Sequence, residues 1–390
     1  MGAHACISSP SVQEERSVET PFLYHCKVEQ SSLVFETPKM AKSKNHAPKK
    51  ISTWFEIFAV LLGSVFGCVF TVAFAWQLQV SDFTRRRMSL SSSHGMHHEV
   101  VTTEADKLAE EVRILCWILT QPKSHYKKAI HVKNTWGKRC DKLIFMSTKN
   151  DEKLGAVGLN TSEGYYNLWG KTKAAFRYVY DHYLNEYDWF LKADDDTYMI
   201  LENMRYMLSS YDPKYPIYFG SKFRRFYKKG FLGGGSGYVL SREATRKLVE
   251  EAIPNKNKCK AGVRGLEDVE LAACLLKVGV LIGDSRDSLG RGRFFPLGPD
   301  IHIMGQTPGW YKKYAFYKPH LGFHGCSETA IAFHRVTPEL MYWYDFLLYY
   351  VRAYGVKYEQ PFPPHLPPDR KCIPQEVLEK FGRTKNSSIS

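Results

Sequence analysis

Cysteine is scarce in this 390-residue chain, 9 in all, and no two stand as a CxxC pair. That excludes a zinc ribbon, a thioredoxin-like site and a small disulfide-built scaffold. Glycine, at 28 residues, is too sparse for a collagen-like chain. Acidic side chains fall short of basic ones, 40 against 54, leaving a net charge of +14. Two phosphate motifs are missing as well. The segment GYYNLWGKT at 164–172 has five residues between its glycines where a P-loop has four, and its Tyr and Trp would block a backbone nest around phosphate. GGGSG at 233–237 does not match GxGxxG; it reads either as a turn or as a close backbone approach to a ligand. Apolar and aromatic residues, by contrast, are plentiful at 44% and 14%, which excludes disorder because such a chain buries enough surface to offset its ordering entropy.

The longest uncharged run is IFAVLLGSVFGCVFTVAFAW at 57–76. As a helix it extends about 30 Å, the hydrocarbon thickness of a bilayer. A core helix seldom runs so far without a polar face, and a cleaved signal peptide has a shorter apolar run nearer the start. An uncleaved anchor is expected. Five lysines (Lys39, Lys42, Lys44, Lys49, Lys50) precede the run and Arg85, Arg86 and Arg87 follow it, a bias that favours a cytoplasmic N-terminus and a luminal remainder. Sequons at Asn160 and Asn386 agree, and the cysteines beyond the span (Cys116, Cys140, Cys259, Cys274, Cys326, Cys372) fit three disulfides of open pairing in an oxidising compartment. A luminal protein does not meet nucleic acid, so the basic run KFRRFYKK at 222–229 reads as a solvated face or an acceptor-binding rim. The expected organisation is a cytoplasmic tail (1–55), an anchor (56–77), a polar flexible stem (78–111), one folded domain (112–358) and a Pro-rich tail without packed structure (359–390).

Within the folded part, short apolar runs predict strands at 113–120, 142–148, 187–193 and 217–219. Helical spacing predicts helices at 126–136, 167–183, 200–208 and 266–276, and Ser241 is placed to cap another through 251. This alternation predicts an α/β domain with a largely parallel sheet covered on both faces. Such sheets bind ligands beyond the carboxyl ends of their strands, and the run at 187–193 ends there in Asp194-Asp195-Asp196.

Three adjacent carboxylates repel one another, so placing them at a strand end costs stability unless a cation binds. A D-x-D unit can reach a divalent ion that also grips a diphosphate, as a nucleotide-sugar transferase requires. The plain alternative is an acidic surface turn, against which the preceding Trp189-Phe190-Leu191 argues. Glu267-Asp268 opens a predicted helix, where acids favour the helix dipole or, beside a cleft, supply a general base. Trp310, Tyr311, Tyr314 and Tyr317 suit stacking on a sugar or core packing, and His320, His324 and His334 each qualify as a further metal ligand.

Taken together, WGKRC, NLWGKT, WFLKADDDTY, GGGSGYVLSREA, EDVE, GDSRDSLGRGRFFP and CSETAIAFH resemble the core 1 β1,3-galactosyltransferases, of the superfamily that includes the Fringe enzymes, over roughly residues 112–355. The resemblance implies a GT-A type, Rossmann-like fold, a single-pass type II Golgi membrane protein with its catalytic domain luminal, Mn²⁺ as cofactor and a homodimer. It implies inverting transfer of galactose from UDP-galactose to the 3-hydroxyl of GalNAc α-linked to Ser or Thr on glycoproteins. Residue by residue, it makes Asp268 the catalytic base and Asp196 and His334 metal ligands. Met146, Lys171, Asp194, Asp195 and Tyr317 fall to the nucleotide sugar, and Trp310, Gly234, Gly235 and Glu267 to the acceptor. Gly325 stands where the family often has a second cysteine beside Cys326, which puts one disulfide in doubt. A relative that is a luminal chaperone lacks the aspartate triplet, so the intact triplet argues for an enzyme. A sister enzyme taking UDP-GlcNAc or a fucose acceptor is the nearer alternative.

Overall fold

A computed structural model describes residues 103–356 and 362. The expected anchor and its flanking charges, Cys372 and Asn386 lie outside the described residues, among which no helix is long and apolar enough to cross a membrane. The chain runs α1 (Thr103–Glu111), β1 (Ile114–Leu119), α2 (Ile130–Asn134), β2 (Lys142–Ser147), β3 (Ala156–Gly158), α3 (Leu168–Tyr183), β4 (Trp189–Asp194), β5 (Thr197–Met199), α4 (Leu201–Leu208), β6 (Ile217–Gly220) and β7 (Lys222–Phe223). It continues with β8 (Phe231–Leu232), β9 (Tyr238–Ser241), α5 (Arg242–Lys247), α6 (Glu267–Lys277), β10 (Leu281–Ile282), β11 (Phe294–Phe295), α7 (Pro299–Ile303), α8 (Gly309–Tyr314), β12 (Ala332–His334) and α9 (Pro338–Tyr349).

The apolar runs form the central strands because both of their faces find cover. In β1, Ile114, Cys116 and Ile118 enter one hydrophobic core while Leu115, Trp117 and Leu119 enter the other, the two-residue period of a strand buried on both sides. The seven-stranded sheet has the order β10-β6-β9-β4-β1-β2-β3. β1 pairs in parallel with β2 and β4, but β9 runs antiparallel to β4 and β6. No crossover helix separates β6 from β9, so the chain comes back in the opposite direction. The expected largely parallel sheet is thus a mixed α/β sheet rich in parallel pairs, which fits a GT-A-like fold. Ser241 caps α5 as its position predicts, its hydroxyl accepting from the Ala244 N–H at 3.1 Å. A second sheet, β11-β12-β5, stands at the C-terminal end of β4.

Two expectations need correction. The segment expected to be a flexible stem to 111 contains α1, which packs on α4. Two disulfides form, Cys116–Cys140 and Cys259–Cys274, while Cys326 bonds to no described cysteine. Burial pushes the Cys326 thiol up to about 11, and its sulfur lies 3.6 Å from the Ser327 carbonyl. The adjacent Gly325 has no room for a side chain, since a Cβ there would stand 2.1 Å from the His320 carbonyl oxygen. Asn160 is exposed just after β3, as a sequon asparagine must be.

Candidate active site

Asp194 ends β4, Asp195 and Asp196 form the turn to β5, and strand pairing decides what faces them. β12 lies antiparallel to β5 with His334 opposite Thr197, so the imidazole arrives beside Asp196. His334 Nε2 is 3.2 Å from Asp196 Oδ1 and 4.0 Å from Asp194 Oδ2. Its Nδ1 lies 3.3 Å from the Pro296 carbonyl, which can only accept, so Nδ1 donates there and Nε2 is the ring nitrogen turned toward the carboxylates. One ligand atom each from Asp194, Asp196 and His334 lie within 4.8 Å of one another. Immediately after His334, Arg335 takes a left-handed φ of 59°, and the Val336 N–H then bonds the Asp196 carbonyl at 2.9 Å. That unfavourable backbone, of order 1 kcal/mol, is held by the pairing around it. A mixed carboxylate–imidazole donor set fits a divalent transition-metal ion better than Ca²⁺ or Mg²⁺.

The three aspartates are not equivalent. Asp195 turns inward, accepts from the Thr120 hydroxyl at 2.8 Å, and is pushed by burial up to about 6. Burial opposes the charge on Asp196 too, yet His334 and Lys128 hold it well below the usual carboxylate range. Lys128 Nζ, on the π-helical turn His125–Ala129 that leads into α2, is 2.9 Å from Asp196 and 3.8 Å from Asp195. Asp194 pairs at 2.7 Å with Lys192, a lysine buried within β4 itself.

Lys192 also joins this carboxylate cluster to the start of α6. Its ammonium donates to the Gly234 carbonyl at 3.0 Å and lies 4.0 Å from Glu267. Glu267 is buried, accepts from the hydroxyls of Tyr238 and Thr172, and is pushed by burial up to about 7. Asp268, next to it, is half-buried and faces the glycine run: its Oδ2 accepts from the Gly234 N–H at 3.1 Å and its Oδ1 from the Val269 N–H at 2.9 Å. Burial raises its pKa more than those bonds lower it.

The GGGSG segment is therefore a close approach and not a free turn. A Cβ on Gly234 would stand 2.6 Å from Glu267 Oε2, and one on Gly235 would stand 2.3 Å from the His334 ring. The Gly235 carbonyl accepts from the Thr197 hydroxyl at 2.7 Å. These bare backbones bring Asp268 and the Asp194–Asp196–His334 group onto one small surface.

The other expected residues fall in different places. Trp310, on α8, is exposed beside Phe223 and Tyr311, which belong to an apolar cluster that also takes Ala272 of α6. Lys171 is buried, donating to the Thr120 carbonyl and to Glu163 at 2.9 Å. Met146 is a core residue of β2 whose carbonyl accepts from the Thr120 N–H at 3.1 Å. Tyr317 lies beyond the end of β10, under the Arg286 guanidinium at 3.4 Å. His320 and His324 are exposed and do not join the cluster. Lys128, Lys192, Thr120 and the exposed Tyr165, whose hydroxyl feels the charges of Asp268 and Asp194, were not picked out from the sequence. Only the acidic character of the site, which calls for counter-charges, hinted at the two lysines.

A family profile described as Fringe-like matches residues 110–285. The chain is 42% identical over 278 residues to glycoprotein-N-acetylgalactosamine 3-beta-galactosyltransferase 1 of Xenopus laevis, covering 70% of this chain and 76% of that protein. It is 28% identical over 174 residues to beta-1,3-glucosyltransferase of Mus musculus (43% of this chain, 34% of that protein), and 26% identical over 181 residues to chondroitin sulfate synthase 3 of Homo sapiens (42% and 20%). Of these last two proteins the match spans about a third and a fifth.

Proposed function

We infer a function from one premise: this chain belongs to the family of glycoprotein-N-acetylgalactosamine 3-beta-galactosyltransferases, the core 1 β1,3-galactosyltransferases, and is a glycosyltransferase. It transfers galactose from UDP-galactose to the 3-hydroxyl of GalNAc α-linked to Ser or Thr on glycoproteins, with inversion. Inversion needs a single in-line displacement, so one base must face the acceptor oxygen while the leaving group departs on the other side. Asp268 is that base. Two backbone N–H groups fix the carboxylate, and its raised pKa suits accepting a proton from the attacking hydroxyl. Trp310 supplies an aromatic face for the acceptor sugar. Lys128, part-exposed beside Asp195 and Asp196, balances negative charge that gathers where the diphosphate sits. Asp194, Asp196 and His334 would hold a divalent ion, Mn²⁺ in this reading, which would supply positive charge for a departing diphosphate.

The observation that carries the reading is the glycine run, which sets a buried-edge carboxylate and a three-ligand group side by side. The uncharged run 57–76 supports anchoring in the Golgi membrane with the folded domain luminal, and the two disulfides suit that compartment. A homodimer remains part of the proposal through family membership. The test uses the full-length chain in detergent with UDP-galactose, Mn²⁺ and a GalNAc-peptide. Asp268→Asn is expected to lower transfer about a thousandfold while UDP–Mn²⁺ affinity stays within about twofold. Retained turnover would reassign the base.

A further inference from the structure

A second concentration of charge lies along the same edge of the sheet. Beyond β6 and β10 the structure holds a cavity of about 60 Å³, walled by Gly220, Ser221, Gly283 and Ser285 and by the side chains of Lys222, Arg286 and Arg293, with Lys318 and His320 exposed at its mouth. The cavity opens to solvent at its mouth and has room for a carboxylate or phosphate group.

The cations around it are not matched by acids. Arg286 is spent on Asp284, with contacts of 2.7 and 3.0 Å, while its guanidinium lies over Tyr317. Asp287 is likewise spent on Arg291 at 2.7 Å. Arg293 is in salt-bridge contact with neither, feeling both only at longer range: it is 1% exposed, donates to the Thr329 hydroxyl and to the carbonyls of Ser285 and Arg286, and its Nη2 has no hydrogen-bond partner. Among the described residues Lys222 makes no ion pair either, its ammonium resting 3.9 Å from the Phe316 ring centre. Burial lowers the pKa of both Lys222 and Arg293, outweighing the pull of Asp284 on both and of Asp287 on Arg293. A buried guanidinium with an unpaired nitrogen is costly unless an anion completes it.

We propose that this cavity is an anion subsite that takes a single carboxylate or phosphate group, supplied by the acceptor polypeptide next to the glycosylated residue. The acceptor is indicated by position: Tyr311 lines the cavity, its ring lies 6.0 Å from that of Trp310, and the same apolar cluster reaches α6, which carries Asp268. The assignment to the acceptor, though not the anion site itself, rests on the function proposed above.

Two measurements on the full-length protein test it. In the first, inorganic phosphate is titrated without metal, against sodium chloride of matched ionic strength, and thermal unfolding is followed. At tenfold above its dissociation constant, phosphate is expected to raise the midpoint by about 3 °C. Arg293→Met is expected to abolish the rise and to melt no lower than the parent without phosphate. If Arg293→Met does not fold, Lys222→Gln carries the same comparison. In the second, transfer is compared between GalNAc-peptides that differ only in an acidic or neutral residue beside the sugar. An acidic residue is expected to lower KM about tenfold in the parent and not in the variant, with kcat on the neutral peptide unchanged. A phosphate effect without a KM effect keeps the site but assigns it to a free anion. Equal responses of parent and variant in both measurements overturn the proposal. Absence of transfer to any peptide contradicts the proposed function, and the phosphate titration then still decides the site.

Discussion

The C-terminal edge of one sheet carries two charge imbalances of opposite sign. Beyond β4, Asp194, Asp195, Asp196, Glu267 and Asp268 outnumber the lysines in direct contact with them among the described residues, Lys128 and Lys192, and His334 stands beside them. Beyond β6 and β10, Lys222, Arg286, Arg291 and Arg293 outnumber Asp284 and Asp287, which pair directly with Arg286 and Arg291. Elsewhere buried cations of the described residues are paired, Arg205 with Asp141 at 2.9 Å and Lys171 with Glu163 at 2.9 Å. The difference teaches that the fold tolerates unmatched charge only where an outside group can complete it: a cation on the acidic side, an anion on the basic side. The wall between them is aromatic. Phe295 lines the basic cavity and stacks at 5.1 Å on Phe333, the neighbour of His334, while His302 packs beneath Phe295.

The comparison can be broken most strongly on the acidic side. Asp196→Ala removes a ligand shared by His334 and Lys128 and is expected to weaken Mn²⁺-dependent UDP binding about a hundredfold, read by calorimetry. Unchanged affinity would mean that the acids balance only each other. Gly235→Ala is a subtler break. The new methyl must displace the His334 ring, so Mn²⁺ affinity should fall about tenfold while UDP binding without metal stays the same. A smaller effect concerns the wall. Burial lowers His302 to about 4, and its Nε2 has no hydrogen-bond partner. As pH falls from about 6.5 to about 4 the unfolded chain binds a proton that the folded chain refuses, so stability drops through that window. His302→Leu should flatten the unfolding midpoint against pH there, by something on the order of 2 kcal/mol. An unaltered pH dependence would show that His302 is not held neutral.

Much of the frame was legible because local pattern decides it. Runs such as ILCWIL and WFLKAD are apolar for a strand's length, and 168–183 keeps helical spacing. The site was legible only as candidates. Choosing His334 over His320 and His324 depends on the register of β12 against β5, two strands of three residues each that exist only through long-range pairing. The antiparallel course of β9 is equally invisible, since a strand's direction leaves no mark on its own residues. Lys192 reads as one polar residue in an apolar run, and nothing local says that it lies buried between Asp194 and the Gly234 carbonyl. Arg293 and Lys222 come together from distant segments, one inside a family motif and one inside a basic run whose other cations are exposed.

The most direct test of the account is the position of manganese, read from its anomalous scattering in crystals grown with UDP. The account predicts a single strong peak coordinated by Asp194, Asp196 and His334, with the Asp268 carboxylate facing open space on the acceptor side. A peak held by other side chains, or one that leaves His334 uncoordinated, would contradict it.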